Sequence, residues 1–123
     1  ITNMDLSYNC FTEVPTQPLN SAVLRAFAIN HQRDAKTDQR CLRTWPTGIT
    51  TCPSLIQFQI GDNDIRKVEE TLTSHLYILN IKGNPNISID VTSVCPYIKA
   101  GLYMLFYDKD QDIRGCDALD LEN

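Results

Sequence analysis

Two histidines, five cysteines and one run of alternating acids are the side chains here that could ligate a metal or make and break bonds. The acids, Asp108-Lys-Asp-Gln-Asp112, have the spacing that opens a calcium loop, because oxygens at alternate positions curl round a hard cation. An EF-hand would next need glycine at 113 and glutamate at 119; the chain has Ile113 and Leu119. His31 and His75 have no cysteine or carboxylate at ligand spacing and are read as surface histidines. No nucleophile elbow, HExxH pair or phosphate loop occurs. Asn86-Ile-Ser88 matches a glycosylation acceptor, a three-residue pattern that also arises by chance. The expectation is therefore a non-enzyme without metal site or cofactor.

Charge and hydropathy narrow the partners. Eleven bases against fifteen acids give a net charge of −4. Residues 108–123 hold six acids and two bases, also −4, so the rest of the chain is neutral overall. No basic stripe exists, which argues against nucleic acid as a partner. No apolar run is long enough to span a bilayer, so direct membrane insertion of this segment is not expected.

The elements that must position any site repeat along the chain. The frame is apolar, two free, apolar, one free, apolar, two free, then a polar residue. It runs Ile1, Met4, Leu6, Asn9; Leu24, Phe27, Ile29, Gln32; Leu55, Phe58, Ile60, Asn63; Leu76, Leu79, Ile81, Asn84; and Leu102, Leu105, Tyr107, Asp110. A second apolar pair follows in most copies: Phe11 and Val14, Leu42 and Trp45, Ile65 and Val68, Ile113 and Cys116, with Ile87 alone in the fourth. Five aligned copies predict a solenoid of stacked coils starting near 1, 24, 55, 76 and 102. The second interval is long because residues 33–40 are inserted after Gln32.

Alternation within each copy sends Met4 and Leu6 inward and Asp5 outward. One coil cannot bury its apolar face alone, so neighbours stack into a parallel sheet. The polar residue after the strand can satisfy backbone groups at the turn that the sheet cannot reach. Gln32 and Asp110 replace asparagine there and put a continuous ladder in question. Val14-Pro15 and Trp45-Pro46 close their coils where no ladder N–H is needed.

The frame L-x-x-L-x-L-x-x-N-x-L-x-x-L-P resembles the leucine-rich repeat, and residues 1–15 fit it at every fixed position. The resemblance covers essentially the whole chain and implies an α/β-type solenoid of about five coils. Its concave face would be a parallel β-sheet and its convex side mostly irregular or short helical. The whole of 1–123 then forms one repeat domain, closed by a carboxyl-terminal cap over about 98–123.

The outward strand positions carry the candidate ligand-binding residues Asp5, Asn30, Gln57, Gln59, Asn80 and Lys82, an amide-rich strip with little charge. Such residues suit hydrogen bonding to the neutral polar groups of a protein or glycan ligand. The insertion adds Arg33, Asp34, Lys36 and Arg40 as a rim loop, and loops on rigid scaffolds commonly carry function. Met104 and Phe106 are apolar where earlier copies are polar, as expected of a strand covered by the tail, 117–123, or by a following domain; the alternative is a binding patch.

An odd cysteine count leaves at least one thiol unpaired within a monomer. Cys10 and Cys41 hold the same place in adjacent copies and should stack within bridging reach. Cys116 sits at an inward position that suits a core thiol, and Cys95 is close enough in chain to pair with it. All five also suit small core positions.

Asn84-Pro-Asn-Ile87 and Cys95-Pro-Tyr-Ile98 are similar to segments of surface lipoproteins of gut-dwelling bacteria. That resemblance implies an extracellular or cell-surface place. The chain opens inside a repeat, with no initiator Met, signal sequence or cap, so it is read as the carboxyl-terminal piece of a longer protein whose targeting signal lies upstream. Function is then expected to be recognition through the concave face and rim loop. The alternative is a spacer or cap whose parent binds, or catalyses, elsewhere.

Overall fold

The computed structural model describes residues 2–119. The strands are β1 (Asn3–Asp5), β2 (Ala26–Ala28), β3 (Gln57–Gln59), β4 (Ile78–Asn80), β5 (Ser88–Asp90), β6 (Met104–Phe106) and β7 (Asp112–Arg114). Five of them form one all-parallel sheet in the order β1-β2-β3-β4-β6. Its register stacks Met4, Phe27, Phe58, Leu79 and Leu105 in one inward row. The repeat frame and the sheet thus have one origin: each apolar position is covered by its counterpart in the next coil. Leu24, Phe27, Ile29, Leu55, Phe58, Ile60, Leu76, Leu79 and Ile81 are all buried. At roughly 1.5–3 kcal/mol per fully buried large side chain, this spine dominates the stabilisation.

The opposite side carries what the repeat frame leaves unassigned. β5 and β7 make a second, two-stranded parallel sheet, extended by a single parallel bridge between Lys67 and Ser88. The fourth copy therefore keeps more than Ile87: Ile87, Ile89 and Val91 alternate inward and are buried. That alternation of β-branched residues is a strand signal legible in the sequence. A 3₁₀ turn at Gln17–Asn20, another at Thr92–Val94, and the short helix α1 (Cys95–Lys99) complete this side.

An amide ladder fixes the turn after each strand of the main sheet. Asn63 donates through Nδ2 to the carbonyls of Ile29, Ile60 and Gly61, and its Oδ1 accepts from the Gln32 amide at 2.9 Å. Asn84 likewise binds the Ile60 and Ile81 carbonyls and accepts from the Ile65 amide. Each rung so ties its own turn to the preceding coil. Gln32 does not interrupt the ladder: it donates to the Leu6 and Asn30 carbonyls and accepts from the Phe11 amide.

The fifth coil departs from the frame twice. Asp110 does not serve as the asparagine substitute; it is exposed. The buried rung is Gln111, which donates to the Ile81 and Asn84 carbonyls and accepts from the Asp108 amide. Its extra methylene lets it bridge from one residue later. Before the strand, Leu102 stands 65% exposed while Tyr103 is buried. The cause is the end of α1, where Gly101 takes a left-handed φ of 74° and the Leu102 and Tyr103 amides both fold back onto the Tyr97 carbonyl.

Tyr103 brings its hydroxyl inside with no hydrogen-bond partner among the described residues. Burial raises its pKa, so the phenol stays neutral. An unsatisfied buried hydroxyl costs about 1–3 kcal/mol. Tyr103→Phe is therefore expected to leave stability unchanged or raise it by about 1 kcal/mol, read by denaturant unfolding.

The cysteines fall into two bridges. Cys10–Cys41 joins adjacent coils with the Cα atoms 5.5 Å apart, and Cys95–Cys116 closes the last coil at 5.2 Å. Cys116 is thus a buried half-cystine rather than a core thiol; Cys52 is the free, buried thiol. Of the expected tail cover, residues 120–123 lie outside the described residues. Leu119 packs against the core, and Lys99 bonds Asp117 at 2.9 Å, but Met104 and Phe106 stay 49% and 42% exposed.

A candidate recognition face on the parallel sheet

The register places the outward side chains in two rows. One is Asn3, Ala26, Gln57, Ile78 and Met104; the other is Asp5, Ala28, Gln59, Asn80 and Phe106. Large polar side chains next to alanines leave a dip. A depression of about 310 Å³ lies over Asp5, Ala26, Ala28, Gln57 and Gln59. A second of about 360 Å³ is lined by Gln57, Gln59, Ile78, Asn80, Met104 and Phe106. The two glutamines belong to both, so one shallow trough crosses the sheet, polar at the β1 end and apolar at β6.

Several candidate residues already have partners. Asp5 accepts from the Ser7 amide, and the hydrogen bonds of Ser7 hold its carboxyl below the ordinary carboxylate range. Asn30 donates to Gln59 Oε1 at 3.1 Å and accepts from the Gly61 amide at 2.7 Å. Asn80 accepts from the Lys82 amide. The strip is therefore preorganised, with the Asn30–Gln59 pair fixing how one glutamine presents its remaining donors. Lys82 is exposed just past the strand.

The rim loop serves mainly as a clasp. Arg33 donates to the Asp62 carbonyl and to its carboxylate, and only 11% of its side chain is exposed. Arg40 reaches across two coils to the Asn63 carbonyl at 2.6 Å and the Gly83 carbonyl at 2.8 Å. Asp34 accepts from the Lys36 and Thr37 amides, which folds the loop tip and lowers its pKa. Lys36 stays exposed there. The Cys10–Cys41 bridge pins the base of the same loop.

Asp62 is the hub that the sequence reading passed over. Its carboxylate binds the His31 ring as well as Arg33, and the His31 ring lies 4.9 Å from that of Tyr8. Tyr8, His31 and Asp62 each sit two residues beyond the last strand-side apolar position, and all three have left-handed φ values of 52–62°. Their shared place in the frame is the signal that could have found the column; ligand spacing along the chain could not, because the partners are one coil apart.

Burial raises the Asp62 pKa, but the hydrogen bonds and charges of His31 and Arg33 outweigh it and hold the group below its ordinary 3.8. A depressed carboxyl contributes stability above its unfolded pKa and loses it as pH falls through the folded one. The stability difference between the protein and Asp62→Asn is thus expected to be full above pH 3.8 and to shrink below it, as thermal melts at stepped pH would show.

Among the described residues, no group of three or more His, Cys, Asp or Glu side chains could hold a metal ion, and no helix is long and apolar enough to cross a membrane. Asp108, Asp110 and Asp112 do not converge: Asp108 caps the Gly83 amide, Asp110 is exposed, and Asp112 accepts from Ser88.

No protein-family model matches the chain, and none of the curated proteins does. Crystal structures similar to it include two from Bacteroides. A leucine-rich repeat protein from Bacteroides thetaiotaomicron VPI-5482 superposes with a TM-score of 0.97 at 72% identity over 100% of this chain. A leucine-rich repeat protein from Bacteroides eggerthii DSM 20697 gives 0.91 at 66% identity over 96%. The chain spans 15% and 19% of the lengths of those two proteins. With the repeat frame, the amide ladder and the five-stranded parallel sheet, these likenesses place the chain in the leucine-rich repeat family.

Proposed function

We propose that this segment is a non-enzymatic recognition module whose trough binds a protein ligand, or a glycan offering similar polar groups. The carrying observation is the trough itself: preorganised amides at Asn30, Gln59 and Asn80, with Gln57 beside them, run into exposed Met104 and Phe106. Amides supply directional hydrogen bonds, and the apolar end supplies surface whose burial drives association. An extracellular or cell-surface setting fits two bridges in one small chain, since such bonds persist in oxidising compartments. A bacterial surface lipoprotein as the parent is part of the same proposal.

The spacer reading draws on Ala26 and Ala28, which present little to grip. Immobilising this chain and, in parallel, a longer protein containing it on glycan and protein panels separates the two. Binding by the chain alone supports recognition here. Binding confined to the longer protein would favour the spacer.

A further inference from the structure

A second groove lies off the sheet, beyond the amide ladder. It encloses about 480 Å³ and its lining includes Arg43, Thr44, Trp45, Arg66, Lys67 and Glu69. Three of the eleven bases of a chain with net charge −4 meet in this one place. Their side chains are 64%, 59% and 76% exposed. The carboxylates beside them do not saturate them. Asp64 serves both guanidinium groups, at 3.0 Å from Arg66 and 3.8 Å from Arg43, while Glu69 is 3.4 Å from the Lys67 ammonium. Each guanidinium has five donors, so most stay available for an incoming carboxylate.

Trp45 gives this cluster a fixed apolar wall. Its indole packs edge-on against Phe58 with centroids 5.5 Å apart, and its N–H donates to Glu70 Oε1 at 2.9 Å. Glu70 also accepts from the Gly48 amide, which holds the clamp in place. A rigid tryptophan beside two arginines is the composition in which binding energy concentrates at protein interfaces. An adjoining depression of about 540 Å³ shares Arg43 and Thr44 and is lined further by Asp34, Arg40, Cys10 and Cys41.

We propose that this flank groove docks an acidic peptide segment of a protein partner, with Asp or Glu carboxylates on Arg43 and Arg66 and an apolar neighbour against Trp45. The spare guanidinium donors select the occupant: Arg43 and Arg66 share one carboxylate, Asp64, and clustered arginines recognise acidic motifs by bidentate hydrogen bonds. The site is separate from the trough, and neither needs the other.

Trp45 is the only tryptophan, so its fluorescence reports the groove directly. The chain is titrated with a glutamate-rich hexapeptide, its glutamine counterpart, and polygalacturonate. A saturable response to the glutamate peptide is expected, weaker by at least about tenfold for the glutamine peptide and falling as salt rises. Arg43→Gln with Arg66→Gln should weaken it by about tenfold, and Lys67→Gln by less, each measured on protein that thermal melts show to be folded. Gln57→Ala with Gln59→Ala in the trough should leave it intact. No saturable response, an equal response to the glutamine peptide, a tighter response to polygalacturonate, or binding that survives loss of both arginines would overturn the proposal.

Discussion

Asn63→Leu is expected to destabilise the protein by about 3–4 kcal/mol, although leucine matches asparagine in rough size and suits a buried site. Asn63 is fully buried. Removing its amide leaves the Gln32 N–H and the Ile29 carbonyl without the partners they have now. The Ile60 and Gly61 carbonyls keep other donors, Asn84 Nδ2 and the His31 amide. Two buried orphans at about 1–3 kcal/mol each set the size of the effect. Asn9 has the same frame position but is exposed, and it donates only to the Leu6 and Ser7 carbonyls. Water can replace those bonds, so Asn9→Leu should cost under about 1 kcal/mol. Denaturant unfolding of the pair measures what a rung contributes inside the stack against at its end.

Gly83→Ala should lose about 2–4 kcal/mol by the same measurement, from two sources. Gly83 has a φ of 76°, where an L-residue is strained by about 1–2 kcal/mol. A Cβ there would also meet the Asp62 backbone of the preceding coil, 2.9 Å from Cα and 3.0 Å from N. Backbone cannot turn aside as a side chain can, so the coils must part, at about 1–3 kcal/mol for overpacking. Gly101 has a nearly equal φ of 74° with nothing within 4 Å of the same added carbon. Gly101→Ala therefore carries the strain alone, and the difference between the two variants isolates the cost of holding coils 62 and 83 apart. A disturbed stack at Asp62 would also loosen the clasp of Arg33 and Arg40, because Arg40 binds the Gly83 carbonyl.

Periodicity made the inward rows legible because burial in a stacked coil depends only on position within the repeat. Phe27, Phe58 and Leu79 needed no knowledge of their neighbours to be assigned inward. Departures arose where a longer side chain or a local turn broke that equivalence. Gln111 outcompeted Asp110 because an amide both donates and accepts, whereas an ionised carboxylate only accepts. Leu102 turned outward because the end of α1 set the phase of the coil in place of the repeat. The second sheet was written in Ile87, Ile89 and Val91, but in a segment where the frame marks only one of them.

The candidate site was legible in outline and not in partnership. Arg33 and Arg40 look like free loop charges in sequence, yet their acceptors Asp62, Asn63 and Gly83 lie one or two coils away. Cys10 and Cys41 were within reach by alignment alone, since the bridge joins equal positions of adjacent copies. Charge behaved similarly at the flank. Arg43, Arg66 and Lys67 come from two copies and form one groove only after stacking.

The central claim is that the trough over the main sheet is the binding face. Its most direct test blocks each side of the solenoid in turn. Ala28→Trp fills the trough; Asp90→Trp adds the same bulk to the second sheet, where Asp90 is exposed. Both variants and the parent chain are tested at equal concentration on the same protein and glycan panels, after thermal melts confirm that each is folded. Every ligand of the trough is expected to be lost by Ala28→Trp and kept by Asp90→Trp. Ligands kept by Ala28→Trp and lost by Asp90→Trp would contradict it.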